Sequence, residues 1–266
     1  MSQGNVYWDW NAMQRDGVMP SILAIGDSWF WYLFPGGSLI NRLGPLVAPK
    51  SHTILALGNN GAKAQDYVIG KFRDAVHTAL RLHGTSLSGV FISGGGNDFA
   101  GFNDLRPMLN RDCSKASDVP SCFAAGKGPG SLDELMQEMA RNYRFLVDQI
   151  IAVSPADCRI VLHNYDAAIP TGKGIFGNQH SWLKPALDDA RVPQNLQRGC
   201  VRQVLLRFTE MLEGVVQHAP GRVVLVNSMG ILADTDWANE LHPTPDGFQK
   251  IAVQGWLPVL QGIGLA

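Results

Sequence analysis

The sequence predicts a three-layer α/β/α sandwich around a mostly parallel five-stranded sheet. Two patterns carry that expectation. Five short apolar runs, at 21–25, 52–57, 89–93, 159–163 and 222–226, are each bounded by Gly, Pro, Asn or Asp, as buried strands are. Helical periods fall between them, and strands that alternate with helices favour a parallel sheet covered on both faces.

The helical segments follow from their apolar spacing. Leu132, Leu135, Met136, Met139, Tyr143, Leu146 and Ile150 recur at three- and four-residue steps, which places one apolar stripe along a helix. Ser131, with Glu134 three residues on, reads as its capping box. Val201, Val204, Leu205, Phe208 and Leu212 form a second stripe. Residues 71–82 and 245–257 predict two more helices, the last with Pro245 in its first turn, where a missing N–H costs nothing. These stripes read as core faces. Two long stretches, 102–130 and 165–195, lack a periodic pattern. They are expected to be irregular insertions of the kind that wall or cover sites. No repeat or linker divides the 266 residues, so one domain over 1–266 is expected.

Composition narrows the function classes. A formal net charge of −1 argues against a broad nucleic-acid surface, and the basic run Lys71-Phe72-Arg73 reads as a solvated helix face. No apolar run is long enough for a transmembrane helix. The start, Met1-Ser2-Gln3-Gly4-Asn5, lacks the pattern of a secretion signal, so a cytoplasmic protein is expected. Neither the cysteines nor the histidines show metal-ligand spacing, and no metal or cofactor is expected. Cys113 and Cys122 are near neighbours. A local disulfide and a pair of reduced thiols both remain open there.

Right-handed crossovers bring the C-terminal ends of parallel strands to one sheet edge, where ligands bind. Four short motifs are expected at that edge. Gly26-Asp27-Ser28-Trp29 follows the first run, Gly58-Asn59-Asn60-Gly61 the second, and Gly94-Gly95-Gly96-Asn97-Asp98 the third. Asn239-Glu240-Leu241-His242-Pro243 follows the fifth. A serine hydroxyl needs a base to become a nucleophile, and a tetrahedral oxyanion needs fixed N–H donors. A serine, a histidine, an asparagine amide and glycine N–H groups are the parts for that chemistry. Each motif alone is common. Their order and placement are the specific signal.

Together these blocks resemble the SGNH hydrolase superfamily, the GDSL-like lipases and esterases. Gly26-Asp27-Ser28 resembles the first block, Gly61 the second-block glycine, Gly96-Asn97-Asp98 the third block and His242-Pro243 the last. Gly-Asp-Ser-Trp-Phe with Gly-Gly-Gly-Asn-Asp resembles a bacterial branch. The resemblance spans about residues 21–255 and implies the flavodoxin-like SGNH fold. It implies cofactor-free cleavage of a small-molecule carboxylic ester, with Ser28 as nucleophile and His242 as base. It also implies an oxyanion hole from the Ser28 and Gly61 N–H groups and the Asn97 amide, with Gly58 as runner-up to Gly61. The surrounding sequence is no Gly-x-Ser-x-Gly elbow.

The family places Asp three residues before the histidine, and this chain has Asn239 there. Asn239 can orient the imidazole through its carbonyl oxygen, as in Cys-His-Asn proteases. A Ser–His dyad is the second reading, and Asp236 or Glu240 the carboxylate alternatives. Trp29, Phe30, Trp31, Tyr32 and Phe34 read either as a packed helix start or as an aromatic wall for substrate, with Trp29 expected to contact substrate and Trp182 and Trp237 as further walls. Asn164 and Asp166, at the end of the fourth run, are weaker substrate-contact candidates. Acyl transfer through the same serine, or a binding module that kept the pocket without turnover, are the competing functions.

Overall fold

The computed structural model describes residues 2–31, 37–126, 128, 130–177 and 180–266. Seven strands form one sheet: β1 (Ser2–Gln3), β2 (Val6–Tyr7), β3 (Ile22–Gly26), β4 (Ile54–Gly58), β5 (Gly89–Ser93), β6 (Arg159–His163) and β7 (Val223–Val226). Their order is β1-β2-β4-β3-β5-β6-β7. Every pairing is parallel except β1 with β2. The five predicted runs are β3 to β7. The sequence reading missed β1 and β2 because two-residue edge strands carry no alternation to read.

The helices are α1 (Trp10–Arg15), α2 (Ser28–Trp31), α3 (Leu39–Val47), α4 (Arg73–His83), α5 (Gly96–Phe99), α6 (Phe102–Leu105), α7 (Leu132–Val153), α8 (Lys184–Asp189), α9 (Gln194–His218), α10 (Pro245–Lys250) and α11 (Leu257–Gly262). A π-helical turn, Ile251–Trp256, joins α10 to α11, so the predicted last helix is one continuous rod with a widened middle. α3 packs on that rod, while α4, α7 and α9 pack side by side. At the start of α7, Ser131 Oγ accepts the Glu134 N–H at 3.2 Å. The Glu134 carboxylate reaches back to the Gly130 N–H at 2.7 Å, one residue beyond the expected box. The 102–130 stretch contains α6 and two 3-10 turns, and 165–195 contains α8. Both were expected to be irregular; their helices are too short for a period to show.

The central strands are buried on both faces, which is why they read as unbroken apolar runs. Phe91 of β5 is fully buried and meets Trp256 edge-on at 5.1 Å, which ties the sheet to the C-terminal rod. The four cysteines are free and buried. The Cys113–Cys122 disulfide left open by the sequence is not formed, and the Cys113 thiol instead donates to the Cys122 carbonyl at 3.3 Å. Among the described residues, no helix is long and apolar enough to cross a membrane.

The strand order decides where a site can form. β4-β3-β5-β6-β7 is the doubly wound order in which β3 is flanked by strands whose connections run to opposite sides. The crevice at that switch lies beyond the C-terminal end of β3, and Ser28 is two residues past it. Phe91→Ala is expected to cost about 3–5 kcal/mol. Urea denaturation monitored by circular dichroism checks it.

Candidate active site

Ser28 opens α2, so its N–H is one of the donors that a helix start leaves without an intrahelical partner. Its hydroxyl lies 2.8 Å from Nε2 of His242. On the far side of that ring, Nδ1 is 3.0 Å from Asn239 Oδ1. The same oxygen accepts the backbone N–H groups of Leu241 at 3.0 Å and His242 at 2.9 Å. An amide atom that accepts two N–H groups is the oxygen, so Nδ1 must carry the ring proton. Nε2 is then left with a lone pair for the Ser28 hydroxyl.

The carboxylate alternatives are engaged elsewhere. Asp236 accepts Lys250 Nζ at 2.7 and 2.8 Å and the Ala233 N–H at 2.8 Å. Glu240 is fully buried and accepts backbone N–H groups of Gly172, Trp182, Leu183 and Lys184 at 2.8 to 3.2 Å. It ties the 165–195 insertion to the histidine loop and seats Trp182 edge-on to His242 at 5.7 Å. Sequence reasoning named Glu240 for a different role. A glutamate flanked by Asn and Leu carries no signal that four distant N–H groups will converge on it.

Trp29 joins the two ends of the site. Its indole N–H donates to the Leu241 carbonyl at 3.0 Å. Its ring packs among His163, Tyr165, Trp237 and Phe248. Trp29 lines the cleft beside Ser28, but it is buried and also holds the loops together. Trp31 is half-buried against Trp8. Tyr32 and Phe34 lie outside the described residues.

Asn97 lies beside Ser28 in the same cleft. Its amide donates to the Ala62 carbonyl at 3.0 Å, and its second N–H faces Asp27 only at 3.5 Å. Asp27 also accepts the Trp29 N–H at 3.0 Å and the Tyr165 hydroxyl at 2.7 Å, while the Gly96 N–H donates to that hydroxyl at 3.1 Å. Burial pushes the Asp27 carboxyl up to about 6. Tyr165 was not singled out from the sequence, because nothing local marks a tyrosine after a strand as a partner for residue 27.

Gly61 has φ of +75° with open space where a Cβ would stand. It is a turn glycine, exposed, and does not line the cleft. Gly58 is needed for packing, since a Cβ there would come within 2.1 Å of the Gly26 carbonyl. Asn164, expected near substrate, is fully buried. It donates to Thr209 and Asn227 and accepts the Ser228 N–H, so it ties β6 to the segment after β7. Asp166 lines the cleft, but its carboxylate is held by the N–H groups of Ala167, Gly230 and Leu232 at 2.6 to 2.7 Å.

Removal from water pushes the His242 imidazole down to about 3, because burial disfavours the charged ring. Asn239 is neutral and offers no opposing charge. The imidazole is therefore ready to accept a proton well below pH 6.5.

Comparison with solved structures places this architecture. The chain superposes on the extracellular lipase from Streptomyces rimosus with a TM-score of 0.50 at 17% identity, covering 92% of this chain and 100% of that one. A protein assigned to the SGNH hydrolases from Slackia heliotrinireducens gives 0.50 at 12% identity over 87% and 94%. A family two carbohydrate esterase from Clostridium thermocellum, solved with cellohexaose, gives 0.51 at 13% identity over 93% and 65%. No family model and no curated protein matches the sequence. The fold is that of the SGNH hydrolases.

A carboxylate at 239 would favour imidazolium, so Asn239→Asp is expected to raise the pH at which the His242 ring protonates. The wild-type ring should stay neutral down through pH 6.5. Imidazole NMR resonances followed between pH 4 and 9 check both. Glu240→Ala leaves four N–H groups without their acceptor, at about 1–3 kcal/mol for each one that stays dry. Faster proteolytic nicking within 172–184 and a lower melting temperature are its expected signs.

Proposed function

We propose that this protein is a serine hydrolase that cleaves carboxylic esters through an acyl-enzyme on Ser28. The observation that carries the reading is the chain Ser28 Oγ, His242 Nε2, His242 Nδ1, Asn239 Oδ1, with both links at 2.8 to 3.0 Å. A hydroxyl against an unprotonated ring nitrogen, with the opposite nitrogen held by an acceptor, is the arrangement that nucleophilic acyl chemistry uses.

In this reading the Ser28 oxygen attacks the ester carbonyl while His242 takes its proton. The imidazolium then protonates the leaving alcohol, and water attacks the acyl-enzyme with His242 again as base. The Ser28 N–H and the weakly held N–H of Asn97 stabilise the oxyanion. Gly61, expected as a third donor, is exposed and outside the cleft wall, so the reading rests on these two donors. Asn239 keeps the ring tautomer and gives no full charge to the imidazolium. The SGNH hydrolase fold supports the same chemistry. The intact proton path favours turnover over a binding module.

Hydrolysis of p-nitrophenyl esters tests the proposal. Ser28→Ala is expected to lose turnover by about a million-fold, as nucleophile removal does in a comparable serine enzyme. Asn239→Ala should lower it by about a hundredfold, and Asp236→Ala should leave it near wild type. Wild-type turnover in Ser28→Ala would overturn the reading. Product analysis with added alcohols separates hydrolysis from acyl transfer.

A further inference from the structure

A partly open cavity lies beside Ser28 and Asn97, and much of its wall is apolar: Phe99, Ala168, Leu183, Val201 and Leu205. All five are buried. The last two sit one turn apart on α9. Behind them the wall is braced by ring packing, with Tyr165 stacked on Phe208 at 5.7 Å and Phe99 edge-on to Phe208 at 5.9 Å.

The side of the substrate that enters this cavity follows from proton chemistry. His242 must reach the leaving-group oxygen to protonate it, so the alcohol portion lies on the His242 side. His242 is not part of the cavity wall. The group on the other side of the carbonyl carbon is the acyl tail. We propose that the cavity is the acyl pocket, and that it restricts the protein to acyl groups of about two to four carbons. The proposal rests on the hydrolase reading of Ser28 and His242.

Size sets the length. The free space is about 30 Å³, and one water needs at least about 10–15 Å³ measured this way, so two or three small groups fit. Apolar side chains of Leu183, Val201 and Leu205 line the wall, so the part of the tail against them is hydrocarbon. Each methylene that fits is worth about fourfold in kcat/KM, and the first that does not fit reverses the trend.

The test is the acyl-length profile of kcat/KM on p-nitrophenyl acetate, butyrate and octanoate. The expected profile peaks at acetate or butyrate, with octanoate at least about a hundredfold lower. Leu205→Ala should raise octanoate relative to acetate by about tenfold or more. Val201→Ala is a milder truncation of the same wall and gives a second reading should Leu205→Ala fail to fold, as judged by circular dichroism. A Ser28-dependent activity that peaks at octanoate, or a profile unmoved by both truncations, overturns the pocket and leaves the hydrolase reading standing. A profile that follows the size of the alcohol rather than the acyl group also overturns it. Absence of Ser28-dependent hydrolysis on every ester overturns the hydrolase reading and the pocket with it.

Discussion

The site depends on one hydrogen bond, from the Trp29 indole to the Leu241 carbonyl at 3.0 Å. It joins loops 212 residues apart in sequence, and each loop end carries one half of the Ser28–His242 contact. The indole sits inside a cluster of rings from β6 and the residue after its end, the histidine loop and α10. A buried N–H without an acceptor is costly, so the indole holds the Leu241 carbonyl in register. His242, the next residue, is thereby delivered to Ser28.

Glu240 acts on the same loop from the opposite side. Its carboxylate gathers four N–H groups, from Gly172, Trp182, Leu183 and Lys184, and so ties these parts of the 165–195 insertion to the histidine loop. Leu183, one of the four, lines the proposed acyl pocket, and Trp182, another, packs on the imidazole. One residue in the histidine loop thus shapes both the tail end and the base end of the cleft.

Asn239 in place of an aspartate changes the electrostatics more than the geometry. Orientation of the ring needs only an acceptor for Nδ1–H, and an amide oxygen fixed by two backbone N–H groups supplies one. Stabilisation of imidazolium needs a charge, and the Asn239 amide is neutral. Burial keeps the imidazole uncharged far into acid. Asp27 lines the same cleft with its own carboxyl pushed up by burial. Its protonation in mild acid removes a negative charge from the cleft.

The sequence by itself determined the five central strands, the long helices α7 and α9, and the motifs at the strand ends, because apolar periodicity and turn residues act locally. It also singled out Ser28, Asn97 and His242, since each lies in a short motif after a strand or before a helix. The sequence put Asn239 ahead of Asp236 and Glu240 as the partner of His242, and only the tertiary structure shows its oxygen 3.0 Å from Nδ1 while the two carboxylates are engaged by other partners. The tertiary structure turned Asn164 from a substrate-contact candidate into a bridge between strand ends. It also revealed Tyr165 beside Asp27 and the apolar cavity under α9. Those features are contacts between segments tens to hundreds of residues apart, and no local pattern encodes which side chains a fold brings face to face.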